Sequence, residues 1–127
     1  MSKDTILVVE DDQLLQEVIE EILQLHEIKV KTVGSTTEAD DWLESHIPDI
    51  IICDLFLTTV SGIQWLNKVS DRLIKSNSSV ILLSADHQRT DEMLKGGPIH
   101  PLVKYQLKKP FKNDELIWLI FQLQANM

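Results

Sequence analysis

One stretch, from Asp49 to Gly62, constrains the fold more than any other part of the chain. Its apolar run Ile50–Cys53 is too short for an independent helix and is rich in β-branched residues, which predicts a strand buried on both faces of a parallel sheet. The run stops at Asp54, where such a sheet places its ligand crevice, and Ser61-Gly62 predicts the start of a helix. Asp54 is therefore either a turn former at a strand end or part of a functional site.

Three further apolar runs also end in polar or charged residues. They are followed by Glu10-Asp11-Asp12, by Ser84-Ala85 and by Lys109-Pro110-Phe111. Because the carboxyl ends of parallel strands meet at one edge of a sheet, we expect these residues to gather around Asp54. The sequence therefore favours a functional site over an isolated turn residue.

Length and charge limit the classes of protein to which this chain can belong. The 127 residues fit one domain, residues 1–127, and no apolar stretch approaches the roughly 20 residues of a membrane span. Twelve basic against twenty acidic residues give a net charge of −8, which argues against nucleic acid binding and favours a metal cation or a basic partner. Because the N-terminus lacks a signal-peptide pattern, we expect a cytoplasmic location.

The remaining chain predicts strands that alternate with helices. Beside Ile50–Cys53, the predicted strands are Ile6–Val9, Lys29–Val33 near the sheet edge, Val80–Leu83 and Leu102–Leu107. The predicted helices run from Leu14 to Leu25, through Ala39 to Leu43, from Ile63 to Leu73, from Asp86 to Lys95 and from Asn113 to Gln124. Gly96–Pro101 is predicted to be irregular. Five strands alternating with five helices predict a doubly wound, flavodoxin-like α/β fold with a five-stranded parallel sheet.

Two of the helix starts carry capping residues. Asp12 is a predicted N-cap, and Ser35 with Glu38 three residues later has the spacing of a capping box. A capping role for Asp12 leaves Glu10 and Asp11 at the strand end for another purpose.

Glu10, Asp11 and Asp54 would place three carboxylates at one sheet edge. Such groups repel one another, and Mg²⁺ or a lysine such as Lys109 would stabilise them. Mg²⁺ favours sites that combine carboxylates, waters and a phosphate, so the cluster indicates phosphoryl chemistry with Asp54 as the nucleophile of an aspartyl-phosphate. Lys109 and the hydroxyl group of Ser84 would then contact the phosphoryl oxygens.

These residues, in this order, resemble the receiver domain of bacterial two-component response regulators. The resemblance runs from Thr5 to Leu123 and rests on Val8-Val9-Glu10-Asp11, Asp54 with Gly62, Ser84-Ala85 and Lys109-Pro110-Phe111. It implies that Asp54 accepts a phosphoryl group from a phosphohistidine of a sensor histidine kinase or a histidine phosphotransfer protein. It also implies a signalling domain rather than an enzyme.

The same resemblance assigns the metal ligands. Asp11 would bind Mg²⁺ directly beside Asp54, Glu10 would bind it through water, and the backbone carbonyl group of Phe56 would complete the set. A cis peptide bond is implied between Lys109 and Pro110, since cis bonds are rare except before proline.

The chain departs from the family pattern in several places, of which two, Thr58 and Ser61, do not touch the chemistry. The departure with most consequence concerns the strand position three before Lys109. The family usually has an aromatic switch residue there, whereas this chain has Gln106, with Tyr105 beside it. Gln106 is polar and gains little from entering an apolar slot, so we expect the output to use other residues.

The last predicted helix has two sets of apolar residues. At 100° per residue, one face contains Leu116, Leu119, Ile120 and Leu123, and the residues outside it are Ile117, Trp118 and Phe121. Packing against a neighbouring helix, contact with a partner, or a homodimer would each account for the second set. We expect the output surface to depend on Gly96–Pro101 and on Trp118 and Phe121.

Two other classes of protein fit the acids at the strand ends less well. A haloacid-dehalogenase-like phosphatase needs a second acid two residues after the nucleophile, where Phe56 stands. A flavodoxin-like cofactor binder would place the acids of the loop 10–13 next to the phosphate group of FMN, and the repulsion between these negative charges disfavours it. A receiver-like scaffold that acts by protein interaction without phosphorylation remains the alternative function. Cys53, in mid-strand, is predicted to be a small buried apolar residue.

Overall fold

Five parallel strands form one sheet in this computed structural model, which describes residues 5–55, 57, 61–85, 92 and 94–125. The strands are β1 (Thr5–Val9), β2 (Lys29–Val33), β3 (Ile50–Asp54), β4 (Ser79–Ser84) and β5 (Val103–Lys108). Their order in the sheet is β2-β1-β3-β4-β5. The predicted edge position of β2 is confirmed, and β3 is buried at every residue, as its continuous apolar run predicted.

Helices cover both faces of the sheet. They are α1 (Gln13–Leu25), α2 (Thr36–Leu43), α3 (Gly62–Lys68), α4 (Ser70–Ser76) and α5 (Asn113–Ala125). The buried faces of α1 and α5 form one core layer against the sheet, and those of α2, α3 and α4 form the layer on its other face. The predicted doubly wound α/β fold is confirmed. Within the described part of the chain, no helix is both long enough and apolar enough to cross a bilayer.

Both predicted caps fix helix starts. The Asp12 carboxylate accepts hydrogen bonds from the N–H groups of Leu14 and Leu15, at 3.0 and 3.4 Å. The Ser35 hydroxyl group accepts one from the N–H of Glu38 at 3.1 Å. Because α1 begins immediately after Asp12, the two acids before it remain at the end of β1.

The single helix predicted from Ile63 to Leu73 is wrong, because the structure has two helices that meet at Val69. The Ser70 hydroxyl group donates a hydrogen bond to the carbonyl oxygen of Asn67 at 2.8 Å, and such local bonds compete with the helical ladder. Leu66 of α3 and Leu73 of α4 are nevertheless buried in the same core layer. The apolar spacing therefore continues across the break and conceals it.

The segment Gly96–Pro101 is not wholly irregular, contrary to the prediction. A 3₁₀-helix spans His100–Leu102, and β5 starts one residue later than predicted. Pro101 is compatible with this turn because proline is tolerated in the first turn of a helix. The predicted helix over residues 86–95 lies largely outside the described residues. Within it, the structure describes Glu92 and Leu94 as helical.

The buried face of α5 is wider than predicted. Ile117, expected outside the face, is only 9% exposed, because α5 packs against both the sheet and α1. Trp118 and Phe121 remain 57% and 46% exposed. The second apolar set is therefore divided between the core and the surface.

Candidate functional site

The carboxyl ends of four strands bring the predicted polar residues together. Glu10 follows β1, Asp54 ends β3, Ser84 ends β4 and Lys109 follows β5. The backbone N–H of Lys109 donates a hydrogen bond to the carbonyl oxygen of Ser84 at 2.9 Å, which ties the end of β5 to that of β4. The Lys109–Pro110 peptide bond is cis, as the family resemblance implied.

The ammonium group of Lys109 lies between two carboxylates. Its Nζ atom is 3.0 Å from Asp54 Oδ2 and 3.2 Å from Glu10 Oε2. Burial lowers the pKa of Lys109, but the hydrogen bond and charge of Asp54, together with those of Glu10, offset the burial and leave this pKa above its usual value. The lysine therefore carries a positive charge at neutral pH and holds the two acids side by side.

Glu10 is the most deeply buried acid of the cluster, at 1% exposed. Its Oε1 accepts a hydrogen bond from the N–H of Asp12 at 3.0 Å, and its Oε2 faces Lys109. Burial raises the pKa of Glu10 to about 7, although the Asp12 hydrogen bond and the Lys109 charge lower it. Both carboxylate oxygens of Glu10 are therefore engaged by groups of the protein.

Asp11 completes a compact group of oxygen atoms and is exposed to solvent. One carboxylate oxygen from each of Glu10, Asp11 and Asp54 lies within 4.8 Å of the other two. Hard oxygen ligands at this spacing suit Mg²⁺, which binds one or two carboxylates and keeps several waters.

Ser84 adds a buried hydroxyl group to the site. Its Oγ atom is buried, and no described residue forms a hydrogen bond with it. A buried hydroxyl group is costly without a hydrogen-bond partner, which water or a bound group supplies where no protein group does. The hydroxyl group at the end of β4 suits an oxygen acceptor placed next to Asp54.

Sequence reasoning missed Gln16, whose amide nitrogen Nε2 donates a hydrogen bond to the backbone carbonyl oxygen of Glu10. The N–H of Glu10 donates to the carbonyl oxygen of Val33 at 3.1 Å, so the backbone of this acid is held from both sides. The position of Gln16, four residues after the N-cap of α1, places it in the helical turn above the loop. This spacing from the N-cap is the sequence signal from which the contact of Gln16 with the loop could have been predicted.

Gly62 lies against the backbone of the candidate phosphoacceptor. A Cβ atom at this position would lie 2.1 Å from the carbonyl oxygen of Asp54, a distance that no side chain allows. The N–H of Gly62 donates a hydrogen bond to the carbonyl oxygen of Leu55 at 2.7 Å. Glycine is therefore required for α3 to start at the end of β3.

Two predicted residues near Asp54 have different outcomes. The proposed Phe56 carbonyl ligand lies outside the described residues. Cys53 is fully buried, as predicted, and its burial raises the pKa of the thiol, with the charges of Asp54 and Glu10 adding to the effect. A thiol held in this way remains protonated and unreactive at neutral pH.

Four residues predicted for output, Tyr105, Gln106, Trp118 and Phe121, lie in β5 and on α5. The Tyr105 ring meets the Trp118 ring edge to face, with centroids 6.5 Å apart. Gln106 pairs with Leu82 in the sheet and is partly buried. Trp118 and Phe121 form the exposed side of α5.

The fold and the strand-end site define a signalling domain of the receiver class. Residues 6–121 match the response regulator receiver domain family, and the chain belongs to this family, which serves two-component systems. Proteins of this family interact with histidine kinases or phosphotransfer partners.

Two relatives illustrate the reach of the similarity. The chain is 29% identical to response regulator Rre1 of Synechocystis, with the alignment covering 95% of this chain and 52% of that protein. It is also 29% identical to the two-component response regulator ORR8 of Oryza sativa, covering 88% of this chain and 91% of that protein. The chain thus spans about half the length of Rre1 and nearly all of ORR8.

Solved structures share the fold. The receiver domain of the Francisella response regulator 1452 superposes with a TM-score of 0.80 at 27% identity, covering 97% of this chain and 98% of that one. The response regulator TrrA of Thermotoga maritima, solved in complex with Mg²⁺-BeF, superposes with a TM-score of 0.77 at 26% identity. The superposition covers 94% of this chain and 98% of that one.

Proposed function

We propose that residues 1–127 form a single receiver domain that accepts a phosphoryl group on Asp54 from a phosphohistidine of a sensor histidine kinase or histidine phosphotransfer protein. The observation that carries this proposal is the position of Lys109, whose ammonium group contacts the carboxylates of both Asp54 and Glu10. A structural ion pair would need only one of these acids. Two acids and a third nearby are better explained by a site for a cation and a phosphoryl group.

The residues present fit Mg²⁺. Asp11 and Asp54 would bind it directly, Glu10 through water, and the Phe56 carbonyl group would complete the protein ligands. When bound, the ion supplies positive charge that neutralises phosphoryl oxygens. The mutual distances of 4.8 Å or less among the three carboxylates support this assignment.

In the proposed transfer, a carboxylate oxygen of Asp54 attacks the phosphorus atom of the donor. The new O–P bond forms as the N–P bond to the donor imidazole breaks, and the imidazole leaves with the bonding electron pair. Lys109 would stabilise one phosphoryl oxygen by its charge, and the Ser84 hydroxyl group would donate a hydrogen bond to another. The chain therefore takes part in its own modification and acts as a signalling domain.

The donor protein needs a surface beside the site, and an apolar groove of about 480 Å³ opens next to Lys109. Its walls include Leu14 and Val18 of α1, which are 74% and 43% exposed, and Pro110 and Phe111. We place the donor over this groove because it adjoins Lys109, which contacts Asp54.

We propose a different output surface because position 106, where the family usually has an aromatic switch residue, is occupied by glutamine. The exposed rings of Trp118 and Phe121 offer an alternative surface, to which Tyr105 is joined through its ring contact with Trp118. This face of α5 is the proposed contact for a downstream partner or for a second copy of the chain. Sedimentation of the protein before and after phosphorylation distinguishes the two.

Incubation with a small-molecule phosphodonor and Mg²⁺, followed by intact mass measurement, tests the function. We expect one acid-stable, base-labile phosphoryl group on the wild type and on the control Asp71→Asn, an exposed acid of α4. Asp54→Asn should take up none. Undiminished labelling of Asp54→Asn would refute the assignment, and an unlabelled wild type would favour the alternative, a receiver-like scaffold that acts without phosphorylation.

A further inference from the structure

Asn67, the penultimate residue of α3, forms a hydrogen bond with a segment far along the chain. Its Oδ1 atom accepts a hydrogen bond from the backbone N–H of Ile99 at 3.1 Å. A Cβ atom at Gly97 would lie 3.1 and 3.2 Å from the two polar atoms of the Asn67 amide, closer than Cβ atoms ordinarily approach. The absence of a side chain at Gly97 thus lets this backbone rest directly against Asn67.

The other end of α3 rests on the backbone of the candidate phosphoacceptor. The N–H of Gly62 donates to the carbonyl oxygen of Leu55 at 2.7 Å, and a Cβ at Gly62 would overlap the carbonyl oxygen of Asp54. A shift of the backbone at the end of β3 therefore bears on the start of α3.

α3 has seven residues and forms hydrogen bonds at its start, in its middle and at its end. At its start, the Ser61 hydroxyl group and the Gln64 side chain form a capping box. In its middle, Trp65 is 3% exposed and its indole N–H donates to Asp40 Oδ1 at 2.9 Å. At its end, Asn67 accepts the hydrogen bond from Ile99.

The segment that receives this contact has a buried side and an exposed side. Leu94 and Ile99 are 2% and 0% exposed and belong to the same core layer as α3, whereas Lys95, Pro98 and His100 are exposed. A shift transmitted through Asn67 would change the surface formed by these exposed residues. We refer to residues 94–102 as the distal segment.

We propose that Asn67 couples the phosphorylation state of Asp54 to the position of the distal segment, with α3 as the connecting element. This inference rests on the proposed function and adds a route for its signal. The added phosphoryl group changes charge and volume beside the backbone that Gly62 contacts, and packed elements respond to such a change by moving between discrete arrangements. The Asn67–Ile99 hydrogen bond carries the displacement of α3 to the distal segment.

Amide hydrogen exchange measured by NMR, with and without phosphorylation, tests the coupling, and intact mass establishes the phosphorylated fraction. In the wild type we expect the exchange rate of the Ile99 amide to change on phosphorylation. Asn67→Ala should raise this rate about two- to tenfold without phosphorylation, the loss typical of one hydrogen bond, and should abolish the response. Asn67→Asp, which keeps an acceptor oxygen, should retain the response.

Ser70→Ala is the matched control, because it removes the other hydrogen bond at this junction without touching Ile99. It should respond to phosphorylation as the wild type does. If Asn67→Ala is phosphorylated fully and its Ile99 amide still responds like the wild type, or if the wild-type amide does not respond, the coupling is wrong while the proposed function stands. A wild type that takes up no phosphoryl group would overturn both.

Discussion

Lys109 Nζ lies 3.0 Å from Asp54 Oδ2, so two residues far apart in the chain meet at one end of a parallel sheet. The same ammonium group contacts the buried Glu10. In this arrangement a single lysine offsets two acids, one of which has a pKa raised by burial. The charge balance of the site is therefore sensitive to pH, to Mg²⁺ and to each member of the cluster.

Glu10→Gln should remove a pH dependence of stability measured without Mg²⁺. The pKa of Glu10 rises from 4.5 to about 7 on folding, so between these values the folded protein binds more protons than the unfolded chain. Wild-type stability should therefore fall by up to about 3 kcal/mol as the pH rises from 4.5 to 7 and then level off. Urea unfolding in EDTA at pH 5 and 7.5 measures this fall. If the stability of Glu10→Gln falls by the same amount between these pH values, a group other than Glu10 causes the pH dependence.

Asp11→Ala should weaken Mg²⁺ binding more than Glu10→Ala does. Asp11 is exposed and is the proposed direct ligand, whereas both oxygens of Glu10 are engaged by Asp12 and Lys109. We expect a loss of at least about tenfold for Asp11→Ala, because replacing a residue that only orients a metal ligand already costs about 10- to 100-fold. Calorimetric titration of the two variants checks the order, and equal losses would mean that the direct and water-mediated ligands are misassigned.

Gln16→Ala should lower Mg²⁺ affinity although Gln16 is not a proposed ligand. Its amide holds the backbone of Glu10, and loss of one hydrogen bond corresponds to about two- to tenfold in affinity. Gln24→Ala is the control, since Gln24 is exposed on the same helix and its side-chain amide donates to Glu20 Oε1 rather than to the loop. The same titration compares them. An unchanged affinity in Gln16→Ala would show that the loop keeps its shape without this bond.

Gly62→Ala should destabilise the fold more than Gly96→Ala. The new Cβ at position 62 would overlap the backbone of Asp54, so α3 must shift, at a cost of about 1–3 kcal/mol or more. Gly96 has a φ of +78° but open space around it, so alanine there costs only the backbone strain of a left-handed residue, about 1–2 kcal/mol. Denaturant midpoints of the two variants give the comparison. Equal losses of stability would mean that the close approach of Gly62 to the backbone of Asp54 does not restrict the side chain at position 62.

The sequence by itself determined the sheet, the number of strands and the edge at which the acids meet. Strand runs such as Ile50–Cys53 and caps such as Asp12 are local patterns, and parallel pairing sends every carboxyl end to one edge. The positions of Glu10, Asp54 and Lys109 followed from that rule without any knowledge of their contacts.

Only the tertiary structure decided the break at Val69, the burial of Ile117 and the bonds made by Gln16 and Asn67. The break follows from a local competition, in which the Ser70 hydroxyl group bonds to the Asn67 carbonyl oxygen. The other features depend on which groups meet after packing: Ile117 is buried because α5 touches both α1 and the sheet, and Asn67 meets Ile99 across 32 residues of sequence. Apolar periodicity reports which face of an element is buried, but it carries no information about the partner of a particular amide or hydroxyl group.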